Sequence, residues 1–450
     1  MGLFVDIPKP KCWPPPKVGD EQENDRVQEL LAYGYKRDPV GDKIHTIFAC
    51  IFMFCLPIDT VPSAVASAIL IGYAVLRLPS TWRTITPALN SKIFMFLIAW
   101  AGWSVVTILW SSDKLVGLDH AKALRMVLLP VVLWPVMRHW NYLLVAFLAG
   151  VLLQNILQLS ELIATIFGIE NWLSSLDIRY FRGFEKHSGK LAMFMGFASL
   201  SWLGIIFNGK KHRIKAIFFF ALATSGMFVT ASLAVTVGYV LSVSLFGIYA
   251  IIQKKITIKQ MFLAVVVVLV VTTSTWFAAR DMVTLKVERA IQGVQEYYNG
   301  NIQSNNSTIM RLHWLSKTLS QSFDEPAVAH GVFGHGLGSV ASIDFSEDAP
   351  KFKKTTEHIH NSYIQILYEE GVVGLLLFLL IFCSLALKSK QIVGNYGGTI
   401  YHICLALTLF WATVTFFENS QSSGRPLAML ILLCTFVMYF NKTRVQEKSQ

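Results

Sequence analysis

From about residue 44 onward, long apolar runs alternate with short polar breaks that carry most of the charge. Runs approaching the 17–25 residues that a spanning helix needs recur twelve times, near 44–58, 61–78, 93–110, 124–137, 142–165, 191–207, 216–231, 233–252, 260–279, 361–387, 399–417 and 425–440. The pattern changes over 280–360, the one large hydrophilic stretch between runs. It opens with Val283, Leu285, Val287, Ala290, Ile291 and Val294 at helical spacing, breaks at Asn299-Gly300-Asn301 and Ser304-Asn305-Asn306-Ser307, and resumes a helical pattern over Ile309–Leu319. The predicted fold is all-α: a polytopic membrane protein of about twelve transmembrane helices with one large, mostly helical external loop. Its segments are a tail over 1–44, spans over 45–279, the loop over 280–360, spans over 361–440 and a second tail over 441–450. No period of 20 to 50 residues signals a repeat architecture.

Composition agrees, with 54% hydrophobic and 15% charged residues. The first forty residues are polar and proline-rich and lack the apolar core of a signal peptide, so the N-terminus is expected in the cytoplasm. A net charge of +11 would suggest nucleic acid in a soluble protein; here the charges sort by side of the membrane. Threading twelve spans puts Arg77, Arg83, Arg138, Lys210, Lys211, Arg213, Lys215, Lys254, Lys255, Lys259, Lys388, Lys390, Lys442 and Arg444 on one face, the positive-inside arrangement. Both termini are then cytoplasmic, and 111–123, 166–190, 280–360 and 418–424 lie on the opposite face. Cys50, Cys55, Cys383, Cys404 and Cys434 fall in apolar segments and Cys12 in the tail, which gives neither a disulfide framework nor a metal spacing.

On that opposite face two loops concentrate polar chemistry: Arg179, Arg182, Lys186, His187 and Lys190 in one, Arg311, His313, His335, His358 and His360 in the other. The positive-inside rule works against arginines there, and guanidinium forks match phosphate oxygens, so a lipid-linked phosphate or diphosphate is a natural partner. Pairing with Glu185, Asp177 or lipid headgroups is the competing reading. His358-Ile359-His360-Asn361 stands where a polar loop enters an apolar helix, and a titratable imidazole at such a boundary is a candidate proton acceptor. The alternative for either histidine is an interfacial ring bonded to backbone. Glu357 and Asn361 complete a zinc set poorly, so no metal is expected. Gly331-Val-Phe-Gly334-His-Gly336-Leu-Gly338-Ser339 lacks the Lys-Ser/Thr of a P-loop and follows no strand; it reads as a turn that lets backbone approach a neighbouring helix or sugar rather than as an ATP site. Glu369 and Glu370 are costly facing lipid and are expected to orient polar partners inside the bundle.

His358-Ile-His360-Asn361-Ser-Tyr363, followed by Tyr368-Glu369-Glu370-Gly371-Val-Val-Gly374-Leu375, resembles the hallmark of the O-antigen ligase and O-antigen polymerase superfamily. Arg182-Gly183-Phe184-Glu-Lys-His187 and Ser307-Thr-Ile-Met-Arg311-Leu-His-Trp314, with the later Gly334-x-Gly336 turn, are similar to the family's other segments. The family places its first arginine two or three residues before the glycine; here Arg182 is adjacent and Arg179 is four before, so both are candidates. The resemblance, closest to the ligases, implies a fold like the GT-C glycosyltransferases, in the bacterial inner membrane with its site facing the periplasm. It implies transfer of O-antigen from undecaprenyl diphosphate to lipid A-core in lipopolysaccharide biosynthesis, metal-independent and inverting. His360 would be the catalytic base, Arg182 or Arg179 with Arg311 would hold the diphosphate, and His358, His187 and Asn361 would position substrate. No cofactor and no nucleic acid are expected; the partners are the lipid-linked glycan donor, the lipid A-core acceptor and membrane lipids. A polymerase using the same donor shares these motifs and differs in acceptor. A non-catalytic glycan transporter would carry ionisable groups near the bilayer midplane, and apart from Glu369 and Glu370 the spans have almost none.

Overall fold

A computed structural model describes residues 18–167, 184, 187–208, 213–230, 232–252, 284–285, 287–300, 306–322, 328–346, 356–396, 398–419 and 423–443. Every regular element among them is helical. In chain order these are α1 (Val18–Arg37), α2 (Pro39–Cys55), α3 (Thr60–Leu76), α4 (Leu78–Leu89), α5 (Lys92–Thr107), α6 (Lys114–Leu124), α7 (Leu129–Leu133), α8 (Trp140–Ile166), α9 (Ser188–Asn208), α10 (Arg213–Val229) and α11 (Leu233–Ile252). A helical stretch over 287–298 (α12) follows. The rest are α13 (Ser307–Gln321), α14 (Val328–Phe333), α15 (Ser362–Tyr396), α16 (Gly398–Val414) and α17 (Gly424–Lys442).

Five of the described helical stretches are long and apolar enough to cross a membrane: Lys92–Trp110, Lys114–Ala164, Ser188–Ile206, Ser362–Ile392 and Gly424–Lys442. Helices α3 and α4, bent by 103°, make a sixth if taken as one span, while α11 and α16 are apolar but shorter. The chain is a multi-pass membrane protein; among the described residues, helices of spanning length number five or six of the twelve expected, and the ninth expected span, 260–279, lies outside those residues. The fourth expected span, 124–137, is not one regular helix. It is a 3-10 turn, the five-residue α7 and a second 3-10 stretch, because Pro130 and Pro135 each remove a backbone donor. The tail expected over 1–44 also contains structure: α1 buries Val27 and Leu31, and Arg138 and Arg83 lie over the rings of Tyr35 and Tyr33.

Helices α9 and α17 form the middle of the bundle, with 89% and 83% of their apolar windows buried, against 33% for α5. The outer helices therefore turn residues such as Ile98, Val105, Leu376 and Leu380 outward, as expected of a lipid-facing surface. Close packing at the centre sets Trp100 against Phe378, with 5.1 Å between ring centroids, and buries Phe410 and Trp411, all with at most 1% exposure. At one end of the bundle Asp42 accepts from Arg138 at 2.7 Å and Asp38 from Arg77 at 2.9 Å, so the cations of two expected positive-inside positions are held by carboxylates of α2 and its cap. The polar turns before α15 and before α17 lie at the other end, where Arg425 Nε donates to the Leu56 carbonyl just beyond the C-terminus of α2.

One irregularity sets the position of that polar end. Helix α15 is interrupted at Gly371, whose φ of 70° and ψ of −171° are not helical. The break withdraws helical donors from nearby carbonyls in the apolar interior, where an unpaired carbonyl is costly. The glycine-rich turn supplies replacements. His335 N donates to Tyr368 O and Gly336 N to Glu369 O, each at 2.8 Å, while Trp103 Nε1 donates to Glu370 O at 2.8 Å. Gly338 N donates to the Glu369 carboxylate at 3.1 Å, which gives that buried acid the role in orienting polar partners expected of it. Gly334, Gly336 and Gly338 all adopt left-handed φ values of 76° to 98°, and a Cβ on Gly371 would lie 2.2 Å from Val332 O. The turn is thus a close backbone approach to a neighbouring helix, one of the alternatives the sequence left open. Gly371→Ala combines a left-handed alanine with overpacking, and is expected to cost about 2–4 kcal/mol. Thermal unfolding of the detergent-purified variant checks this; an unchanged midpoint contradicts it.

Candidate functional site

Above the break, residues 306–322, 328–345 and 356–368 enclose a small apolar core of Trp314, Val340, Ile343, Phe345, Ile359 and Tyr368. Ile359 is buried in it at 1% exposure, so the residues on either side, His358 and His360, are presented at its margin. His360 has φ 56°, and is the one non-glycine residue with positive φ among the described residues. A left-handed histidine costs free energy and persists only where its surroundings fix it. Three contacts do so. Asn361 Oδ1 accepts from Ile364 N at 3.0 Å and caps α15, Ser362 N donates to Thr415 O at 2.9 Å, and Ser362 Oγ donates to Glu418 O at 2.9 Å. The His360 ring also stacks over Trp314, with 6.3 Å between centroids and 14° between planes.

His360 Nδ1 lies 3.3 Å from Glu418 Oε2, and Arg311 Nη1 lies 3.9 Å from Glu418 Oε1. The carboxylate can only accept, so Nδ1 carries the proton and donates a long hydrogen bond, leaving Nε2 as the basic nitrogen. Arg311 and Trp314 are one turn apart on α13, so a single helix sets both the cation and the ring beneath His360. The start of α9 closes the other side of Glu418: a Cβ on Gly189 would meet Glu418 Oε1 at 3.2 Å. Lys190 follows that glycine and His187 stands two residues before it. A base, a carboxylate that orients it and a guanidinium therefore share one small region, an arrangement suited to deprotonating a hydroxyl beside an anion.

His358 faces the opposite way. Its Nδ1 accepts from Asn419 Nδ2 at 2.9 Å, and the same amide group donates to Gln365 Oε1 at 2.8 Å. Its ring stacks on His120 of α6, 5.1 Å between centroids and 24° between planes. Burial, together with the neighbouring His120, His360 and Lys190, pushes the His358 pKa down to about 4. Beyond His120 opens a cavity of about 250 Å³, lined among others by Asp119, Lys122, Arg125, Lys190 and Arg425.

The structure thus brings together His360, His358, Asn361 and Arg311 of the expected site residues, with His187 at the start of the adjoining helix. Asn361 uses its side-chain oxygen as the helix cap. Arg179 and Arg182 lie outside the described residues. His313 bonds the Phe345 carbonyl at 3.2 Å and His335 stacks on Tyr368 at 4.2 Å, so both serve the packing of the loop. Sequence reasoning missed Glu418, Asn419 and His120. The signal was a lone acid and amide in the polar turn before the last span, and a histidine in the 111–123 break, all on the face already assigned to the loop.

Fold and site define a multi-pass membrane protein with an imidazole–carboxylate–guanidinium centre at one end of its bundle. Residues 216–379 match a family model described as O-Antigen ligase, and the match places that segment in the O-antigen ligase superfamily, as the motif resemblance implied. It covers α13, the glycine-rich turn, His358 to Asn361 and the break at Gly371, and ends before Glu418. No curated protein matches the chain.

Two outcomes follow. Glu418→Ala is expected to lower the turnover number about 10²-fold while the protein stays folded, because His360 loses its orienting partner. Glu418→Gln, which keeps an accepting oxygen, should retain more activity; equal losses in both would contradict a positioning role. The unfolded chain protonates the His358 imidazole near pH 6.5 and the folded one near 4. The unfolded state therefore binds more protons between those values, and stability falls as pH drops through that window. Melting in chelator from pH 7 to 4 should show a steeper fall for wild type than for His358→Asn; superimposable slopes would rule this out.

Proposed function

We propose that this protein is an inner-membrane glycosyltransferase that moves O-antigen polysaccharide from undecaprenyl diphosphate onto lipid A-core at the periplasmic face. The observation that carries the reading is the left-handed His360, held against Glu418 and Arg311 within and beside the segment that matches the O-antigen ligase family. In this reading His360 Nε2 takes the proton from an acceptor sugar hydroxyl as its oxygen bonds to the anomeric carbon from the face opposite the diphosphate. The bond from that carbon to the diphosphate oxygen breaks, and the configuration inverts. Glu418 holds Nδ1–H and offsets the positive charge that develops on the ring. Arg311, with Arg182 or Arg179, stabilises the charge gathering on the departing undecaprenyl diphosphate. The sugar–diphosphate bond supplies the driving force and side chains supply each catalytic group, so no step calls for a metal ion or ATP. The cation-lined cavity beside His120 is of a kind that accepts phosphate oxygens, and it supports an anionic lipid-linked donor. Arg77 and Arg138, at the end of the bundle away from the polar turns, together with the positive-inside pattern of the sequence, support a periplasmic site with cytoplasmic termini.

The test is transfer by the purified protein from undecaprenyl-diphosphate-linked O-antigen to lipid A-core in EDTA. Wild type should transfer in chelator, and His360→Ala and Arg311→Ala should each lose about 10²–10⁴-fold. Elongation of the donor itself, with none reaching lipid A-core, would make the protein a polymerase and overturn the acceptor assignment.

A further inference from the structure

We propose that His120, Glu357 and His358 form a binding site for a divalent transition-metal ion of the zinc type, separate from the groups that would perform glycan transfer. One ligand atom from each lies within 4.8 Å of the others, although His120 and His358 are far apart in sequence and come together only through the docking of the loop on α6. His120 has an exposure of 4%, and neither of its ring nitrogens has a hydrogen-bond partner. A buried imidazole with both nitrogens unsatisfied is unfavourable, and a metal ion is a partner that relieves it. Glu357, Asp119 and Asp113 place negative charge around this ring, and Lys190 and His360 place positive charge on the side of His358.

Two imidazoles and one carboxylate are a recognised zinc set, leaving a fourth position for water. Bonds of about 2 Å in a tetrahedron separate ligand atoms by about 3.3 Å, so binding would draw the three side chains together by up to about 1.5 Å. A bound ion would fasten the residue two before His360 to α6. It would hold the turn in place and touch no reacting atom.

Full-length protein in detergent, stripped with chelator and desalted, is titrated with Zn²⁺ by calorimetry and with Co²⁺ by its visible ligand-field absorption. One ion per chain is expected. His120→Ala and Glu357→Gln should each weaken binding at least tenfold, and His335→Ala, at a histidine outside the cluster, should bind as wild type does. Glu357 is exposed, so Glu357→Gln decides the matter even where His120→Ala fails to fold. Absence of stoichiometric binding, or affinities equal in wild type and Glu357→Gln, overturns the proposal. The readout is binding, so its failure leaves the glycosyltransferase reading standing, and transfer that fails leaves the metal site standing.

Discussion

Everything at the polar end of this protein depends on where the backbone carbonyls of α15 find their donors. A helix interrupted in an apolar interior has to have its released groups satisfied by something close and polar. Here the donors are His335 N, Gly336 N and the Trp103 indole, and they can reach only because three glycines in the turn take left-handed conformations and Gly371 carries no side chain. The same glycines let the turn pass Ser111 and Gly117, at the corner between α5 and α6. The loop is thereby fastened between the α5–α6 corner and α15, and α13 and His120 are carried to their places beside the His358–His360 turn.

The site inherits its geometry from that fastening. Asn361 caps α15 at the point where it emerges, the cap leaves His360 in a left-handed conformation, and Ile359 locks the turn into the small core beneath it. One carboxylate from a different turn then faces both His360 and Arg311. Two side chains that stand two residues apart are driven into different environments. His358 is turned toward His120 and held neutral at ordinary pH, while His360 is turned toward Glu418 at about a third exposure. The chemistry asked of each follows from that difference.

Much of the helical scaffold was legible because hydropathy is a local property. The run over 191–207 is α9 within a few residues, 233–252 is α11, and 425–440 is α17. The break over 124–137 was legible only as shortness, since the consequence of Pro130 and Pro135 depends on how the freed backbone is accommodated. The glycine-rich turn announced a close approach but not its target, because the gap it fills is created by Gly371, more than thirty residues later. His360 and Arg311 stood out by residue type in a loop. Glu418 and His120 did not, because their significance lies in distances across the bundle that no spacing along the chain encodes.

The coupling of His360 to Glu418 is the central claim, and a double-mutant cycle on the transfer rate tests it most directly. If Glu418 acts by orienting and charge-matching His360, the double variant His360→Ala, Glu418→Ala is no slower than His360→Ala alone, because the second change removes a partner already without work. Losses that multiply would show that the two residues act independently, and would contradict the account.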